Sequence, residues 1–391
     1  MSDLGSILKL EYGAALSAEN RTGWGYPVFG SNGEVGRHAK YLVGEAGIVV
    51  GRKGSVGQVG WSDEPFWPID TAYWVDCRPS ERRWLYWLLS YLPLKRLDTS
   101  TGVPGLNRND VYELRVYRPD SDARDKIAEI LDTLDAAIRG TEAVVAKLRA
   151  MKQGLLHDLL TRGIDANGDL RPPKPEAPHL YHQTPLGWLP KEWDALPLGG
   201  YTQHDITYGI VQAGPHIEGG IPYVRTGDMS GEGLVRETML CTSERIACSF
   251  RRSEVRAGEL VIAIRATLGK VLPVPGDLDG ANLTQGTARI SPRPNVNATC
   301  LMWAIRHRRG QDAIMKEVKG STFMEISLGS LRIVPIALPS SRQEQDAIAK
   351  RLSEHDAAMA TEQALLDKLR LQKSGLMDDL LTGRVPVTPL L

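Results

Sequence analysis

Residues 125–161 read DKIAEILDTLDAAIRGTEAVVAKLRAMKQGLLHDLLT, and residues 346–382 read DAIAKRLSEHDAAMATEQALLDKLRLQKSGLMDDLLT. The second stretch follows the first at a constant offset of 221, without a gap. Eighteen of the 37 aligned positions are identical, among them Asp135/Asp356, Lys147/Lys368, Leu148/Leu369, Arg149/Arg370, Gly154/Gly375 and Leu159/Leu380. Unrelated segments of ordinary composition share about two or three such positions, so the chain carries an internal repeat.

Both copies read as long amphipathic helices. Apolar residues fall at Ile127, Leu131, Leu134, Ile138, Val145, Leu148, Leu155 and Leu159, and again at Ile348, Leu352, Met359, Leu366, Leu369, Leu376 and Leu380. Spacings of three, four and seven place them on one face. Pro119-Asp120-Ser121-Asp122 opens the first copy, and Pro339-Ser340-Ser341 opens the second, where Ser341 and Glu344 have the spacing of a capping box. About 40 helical residues rise roughly 60 Å, too far to bury one stripe against a small domain. A matched partner is needed, and the other copy supplies it. The predicted arrangement is an antiparallel coiled coil, because parallel pairing asks a connection of roughly 25 residues to run back the full length nearly taut.

Outward from the helices, the 391 residues leave room for two or three domains. The formal net charge is zero, no apolar run reaches the ~18 residues of a membrane span, and no signal peptide opens the chain. These features predict a cytoplasmic protein. Cys77, Cys241, Cys248 and Cys300 are scattered and read as reduced thiols, with no zinc spacing.

Two unlike modules precede the two helices. Residues 1–118 are Gly-rich and strand-like, as in YPVFGSNGEVG (26–36) and GIVVGRKGSVGQVGW (47–61), followed by a short apolar helix, RRWLYWLLSYL (82–92), and by STGVPGLNRNDVYELRVYRP (100–119). A proline-rich stretch, GDLRPPKPEAP (168–178), reads as an extended linker. Residues 185–338 then echo the first module. LVIAIRATLGKV (260–271) matches IVVGRKGSVGQV (48–59), CLMWAIRHRRGQDAI (300–314) takes the place of the apolar helix, and GSTFMEISLGSLRIVPIALP (320–339) takes the place of 100–119. IPYVRTGDMSGEG (221–233) is a loose counterpart of YPVFGSNGEVG, and GWLPKEWDALPLG (187–199) has none in the first module.

On these motifs the chain resembles the specificity subunits of type I restriction-modification systems. The carrying features are YPVFGSNG, VVGRKGSVG, IPYVRTGDM, IRATLGKV, GSTFMEIS and the LP-to-EQ approach to the second helix, in this order and with the repeated helices. The resemblance implies an α/β (α+β) architecture of two mixed, β-rich target-recognition domains separated by two long helices in an antiparallel coiled coil, a pseudo-twofold internal repeat. It divides the chain into a first recognition domain (1–119), a helical region (120–164), a Pro-rich linker (165–184), a second recognition domain (185–339), a second helical region (340–384) and a tail (385–391). It also implies a noncatalytic DNA-binding subunit with double-stranded DNA, two methyltransferase subunits and restriction subunits as partners. S-adenosylmethionine would be bound by the methyltransferase and no cofactor by this chain. Whether the first domain borrows residues from the C-terminal end to complete its fold stays open.

Duplex recognition needs cations for phosphates and side chains that reach base edges. Arg52, Lys53 and Ser55 sit in one Gly-rich turn, and Arg265, Thr267 and Lys270 in the comparable turn of the second module. Arg225 follows a strand, placed to fork onto a guanine edge. Asn107 and Arg108 complete the candidates, with Arg306, Arg308 and Arg309 as further cations. Each has a plainer reading, since arginines in turns are commonly solvated and cations near helix ends satisfy carbonyls. Lys147, Arg149, Lys368 and Arg370, repeated pairs on the helices, are the expected partner contacts. Catalytic motifs are missing: LGKV (268–271) lacks the hydroxyl residue and glycine of a phosphate-binding loop, and no G-x-S-x-G or H-E-x-x-H occurs.

The expected target is a bipartite, asymmetric site whose half-sites lie roughly one to one and a half duplex turns apart. Two alternatives remain at this point. One is a stand-alone DNA-binding protein such as a repressor, and the other is a scaffold whose modules bind peptide or sugar.

Overall fold

The computed structural model describes residues 1–97, 105–320 and 324–387. Part of STGVPG, the Ser-Thr-Phe of GSTFMEIS and the end of the tail lie outside them. The chain divides into two compact units, residues 1–145 with 361–391, and residues 146–360. Each long helix therefore contributes one half to each unit.

The first long helix runs Ser121–Leu159 and the second Arg342–Thr382. Asp120 starts the first: its Oδ1 accepts from the Ala123 amide at 2.9 Å, satisfying one of the donors that every helix start leaves open. Gly383 stops the second in the left-handed region (φ 74), where a Cβ would meet the Tyr117 ring at 2.8 Å. Within the first unit Ile138, Val145 and Leu366 bury one seam. There Lys373 pairs with Asp135, and Arg370 Nη2 lies 2.7 Å from Glu142 Oε1. As one helix number rises the other falls, so the pairing is antiparallel. The second unit repeats the device: Lys152 Nζ is 2.7 Å from Asp356 Oδ1. Lys152 and Asp356 are the repeat counterparts of Lys373 and Asp135. Each lysine also covers a tryptophan of its module, Lys373 at 4.5 Å from the Trp87 ring and Lys152 at 4.7 Å from the Trp303 ring.

The two modules share one topology. In the first, an antiparallel four-stranded sheet has the order Leu8–Tyr12, Ala72–Cys77, Gly47–Gly51, Val59–Ser62. In the second the order is Thr207–Tyr208, Thr287–Ile290, Leu260–Ala263, Val271–Pro273. Beside each stands a three-stranded sheet with one parallel pair, Tyr26–Gly30 with Trp67–Pro68, and Ile221–Val224 with Asn282–Leu283. A two-stranded ribbon completes each module, Ser2–Asp3 with Arg115–Val116 and Trp193–Pro197 with Pro335–Pro339. The segment that lacked a counterpart in sequence thus has one, shrunk to two residues.

Helix Arg82–Tyr91 buries Trp84, Leu85, Trp87, Leu88 and Leu89 in the first module. The matching stretch of the second forms two helices, Ala298–Arg306 and Arg308–Lys316. His307 breaks them with an extended backbone (ψ 150) and caps the second, its Nδ1 accepting from the Arg309 amide at 3.3 Å. Gly310 permits the tight corner, since a Cβ there would sit 2.4 Å from the Ala304 carbonyl.

Leu380, Leu381 and Val387 are buried among Leu4, Trp84, Ile127 and Leu131, so the C-terminal end does complete the core of the first unit. At about 1.5–3 kcal/mol per buried aliphatic side chain, these three contribute on the order of 5 kcal/mol. In the second unit Leu159, Leu160 and Ile164 play that part against Ile348 and Leu352.

Composition read the proline-rich stretch as an extended linker; in the structure it is anchored inside the second unit. Arg171 is buried, with Nη1 at 2.6 Å and Nη2 at 2.9 Å from the two oxygens of Glu344. Glu344 Oε1 also accepts from the Ile164 amide (2.9 Å) and from Trp193 Nε1 (3.0 Å). The acid read as half of a capping box is the hub of this buried network.

Candidate nucleic-acid interface

The Gly-rich turn of each module has one backbone geometry. In the first, the Gly57 amide donates to the Gly51 carbonyl at 2.8 Å and the Leu106 amide to the Arg52 carbonyl at 2.8 Å. In the second, the Gly269 amide donates to the Ala263 carbonyl at 2.9 Å and the Ile326 amide to the Ile264 carbonyl at 3.1 Å. Lys53 therefore corresponds to Arg265, Ser55 to Thr267, and Arg52 to Ile264. Gly54 (φ 77) corresponds to Ala266 (φ 57), the one non-glycine residue with positive φ among the described residues. An L-residue there is strained by roughly 1–2 kcal/mol, evidence that the turn is held by its surroundings rather than by its own sequence.

The candidate side chains of the second module are engaged within the chain. Arg225 places Nε at 3.0 Å and Nη2 at 2.7 Å from the Asp228 carboxylate, which also keeps its pKa raised. The fork expected on a guanine edge thus holds an acid three residues away. Arg265 Nη2 lies 2.8 Å from Glu325 Oε1. Lys270 Nζ donates to the Ser230 carbonyl at 3.0 Å, and Thr267 is exposed beside it. Arg306 donates twice to the Val271 carbonyl, at 3.0 and 2.8 Å, and Arg308 faces Asp312 at 3.5 Å. Arg309 is half-buried next to His307.

The first module is different. Arg52 and Arg108 both lie over the ring of Tyr12, each guanidinium carbon 5.1 Å from its centroid, and Arg52 is 5.9 Å from the Tyr73 ring as well. Tyr12 pairs with Tyr73 across adjacent strands and stays 49% exposed, which leaves this spot open to solvent. Burial, reinforced by the Tyr12 hydroxyl, pushes the Tyr73 phenol up to about 12. No carboxylate pairs with Arg52 or Arg108 among the described residues, and Arg52 Nε is buried without a hydrogen-bond partner. Asn107 has a local duty: its Oδ1 accepts from the Asn109 amide at 3.0 Å and caps helix Arg108–Tyr112. Ser327 caps the matching helix of the second module, Leu328–Ile333. Lys53 is exposed, its amide tied to the Thr71 carbonyl at 3.1 Å, and Ser55 is half-buried. Sequence reasoning found both arginines and missed the tyrosines that gather them. A tyrosine ending one strand gives no sign of facing an arginine 40 or 96 residues away.

On the helices, Lys147, Arg149, Lys368 and Arg370 are all exposed. Arg370 lines a cleft of about 900 Å³ in the first unit with Tyr91, Arg139, Glu142 and Lys373. Arg149 lines one of about 620 Å³ in the second unit with Lys152, Lys270, Trp303 and Met359. No helix among the described residues is long and apolar enough to cross a membrane.

Two modules of one topology, each built onto paired halves of duplicated helices, define a duplicated two-module architecture. Residues 1–149 and 214–371 match the family described as the type I restriction modification DNA specificity domain, and the chain belongs to that family. It is 23% identical over 326 residues to the EcoBI specificity subunit of Escherichia coli, a match covering 80% of this chain and 67% of that one. It is 22% identical over 303 residues to the MjaVIII specificity subunit of Methanocaldococcus jannaschii, covering 76% and 68%. Among solved structures, the S subunit of a type I system from M. genitalium shares the fold with a TM-score of 0.66 at 18% identity, over 97% of this chain and 95% of that one. A chain from a structure describing assembly and conformational transition of a type I system gives 0.52 at 16% identity, over 98% and 97%.

Proposed function

We propose that this chain is the DNA-reading subunit of a type I restriction-modification complex, binding a bipartite, asymmetric duplex site through its two modules and leaving the chemistry to its partners. One observation carries the reading. The two modules have the same topology and the same turn geometry, yet the residues at equivalent places differ in chemistry: Arg52 against Ile264, Lys53 against Arg265, Gly54 against Ala266. One backbone plan with two sets of side chains suits two unlike half-sites.

The duplicated helices suit two copies of one methyltransferase subunit, because repeat-related surfaces offer the same contacts twice. Restriction subunits join the same assembly, and S-adenosylmethionine belongs to the methyltransferase. Lys147 and Lys368 are the cleaner probes of that docking. Arg370 already pairs with Glu142, so reversing its charge would also disturb the helix seam. Lys147→Glu with Lys368→Glu is expected to weaken methyltransferase binding at least tenfold while leaving duplex binding within twofold.

The deciding experiment maps methylated bases across the genome in cells with and without this chain and its methyltransferase. The expected result is chain-dependent methylation at two short unlike sequences separated by a spacer of fixed length. Methylation independent of the chain, or a single uninterrupted motif, refutes the reading. Deleting one heptad from both long helices removes about 10 Å, and it is expected to shorten the spacer by about three base pairs or abolish binding.

A further inference from the structure

We propose that Arg52 and Arg108, held over Tyr12, read a guanine edge in the half-site of the first module. The proposal rests on the DNA-binding reading above and assigns it to particular side chains. Two guanidinium groups share one aromatic ring at 5.1 Å each, and no carboxylate neutralises either among the described residues. Other arginines of the protein meet acids, as Arg83 meets Asp132, Arg171 meets Glu344, Arg225 meets Asp228, Arg265 meets Glu325 and Arg289 meets Glu259, or donate to carbonyls as Arg306 does to Val271. Like charges gathered at one ring repel, so among the described residues the cluster has no acceptor of its own and suits one brought by a ligand.

The geometry selects the acceptor. Contact with an aromatic ring takes up no N–H donor, and no hydrogen bond from either guanidinium is found among the described residues, so the donors that fork onto guanine O6 and N7 are left for a ligand. A ring 49% exposed keeps the spot open to a ligand. The second module has no such pair. At the equivalent positions stand Ile264 and Leu328, fixed by the matching turn bonds and by the matching caps Asn107 and Ser327. Guanine reading at this place is therefore a property of one half-site only.

The test uses the full chain and a pool of random-sequence duplexes, from which bound molecules are sequenced. Arg52→Lys and Arg108→Lys, singly and together, keep the charge and the ring contact but remove the fork. The double variant is expected to lose preference for guanine at one or two positions of one half-site by about 5- to 150-fold, with the other half-site and the spacer unchanged. Arg108→Ala, checked for an unchanged melting temperature, is expected to do the same at its own position. An unchanged selected motif in the double variant overturns the proposal. So does, in Arg108→Ala, an equal loss of affinity for every sequence with a salt slope shallower by about one, since that marks a phosphate contact. A wild-type chain that enriches no motif refutes DNA reading itself, and this assignment falls with it.

Discussion

Replacing Glu344 by Gln tests the hub that ties the second unit together. The carboxylate accepts from both terminal nitrogens of Arg171, from the Ile164 amide and from Trp193 Nε1. Both partners of the ion pair are more than nine-tenths buried. Removing one charge of a buried pair typically destabilises by 3–5 kcal/mol, because the other charge is left without its counterion. Here Glu192 stays within 3.5 Å of Arg171 Nε but is itself exposed, so the loss falls at the lower end, about 3 kcal/mol. For a unit of this size that lowers the melting temperature by about 6–12 °C. The assay is calorimetric melting of the full chain carrying Glu344→Gln, Arg171→Met, and both changes. Once Arg171 is gone the glutamine leaves no orphaned cation, so a coupling energy of about 2 kcal/mol is expected. A shift under 2 °C, or strictly additive losses, refutes the reasoning. The selected DNA motif gives a second readout: on the proposed function, loss of order in the second unit is expected to blur one half-site and spare the other.

Three further perturbations follow. Ala266→Gly relieves the left-handed backbone of the second recognition turn and is expected to raise stability by up to about 1 kcal/mol in chemical denaturation, without changing the selected motif. Burial, with Arg309 next to it, pushes His307 down to about 4 from its ordinary 6.5, so its neutral form belongs to the folded state. That contribution is complete above pH 6.5 and is lost as the pH falls from 6.5 towards 4, where the unfolded chain binds the proton; after solvent screening it amounts to about 1 kcal/mol, and His307→Asn is expected to flatten the loss in pH-dependent melting. Asn107→Ala removes a helix cap and is expected to cost about 1 kcal/mol of stability while leaving the recognised sequence unaltered, which separates it from its neighbour Arg108.

What could be read in the sequence depended on how local the determining interaction is. The long helices were legible because their period and their repetition lie in consecutive residues, and antiparallel pairing followed from the length of chain between them. The shared topology of the modules was only half legible. Strands as short as Ser2–Asp3, Trp67–Pro68 and Thr207–Tyr208 leave no alternating pattern to detect. Arg171 and Glu344 are 173 residues apart, so composition saw only the prolines around the first and a cap in the second.

The candidate contacts divide by the same rule. The sequence placed Arg52 and Arg265 in Gly-rich turns and Arg225 at a strand end, and as cations they gave no sign of which has an acid within reach. Asp228, three residues from Arg225, could have been noticed in the sequence as its local counterion; Glu325, 60 residues from Arg265, could not. Arg52 and Arg108 have no acid partner among the described residues, and the Tyr12 ring gathers both. If the cluster serves a ligand, replacing Arg108 changes the selected sequence while the module keeps its melting temperature. Loss of guanine preference without loss of stability is the expected signature of Arg108→Ala.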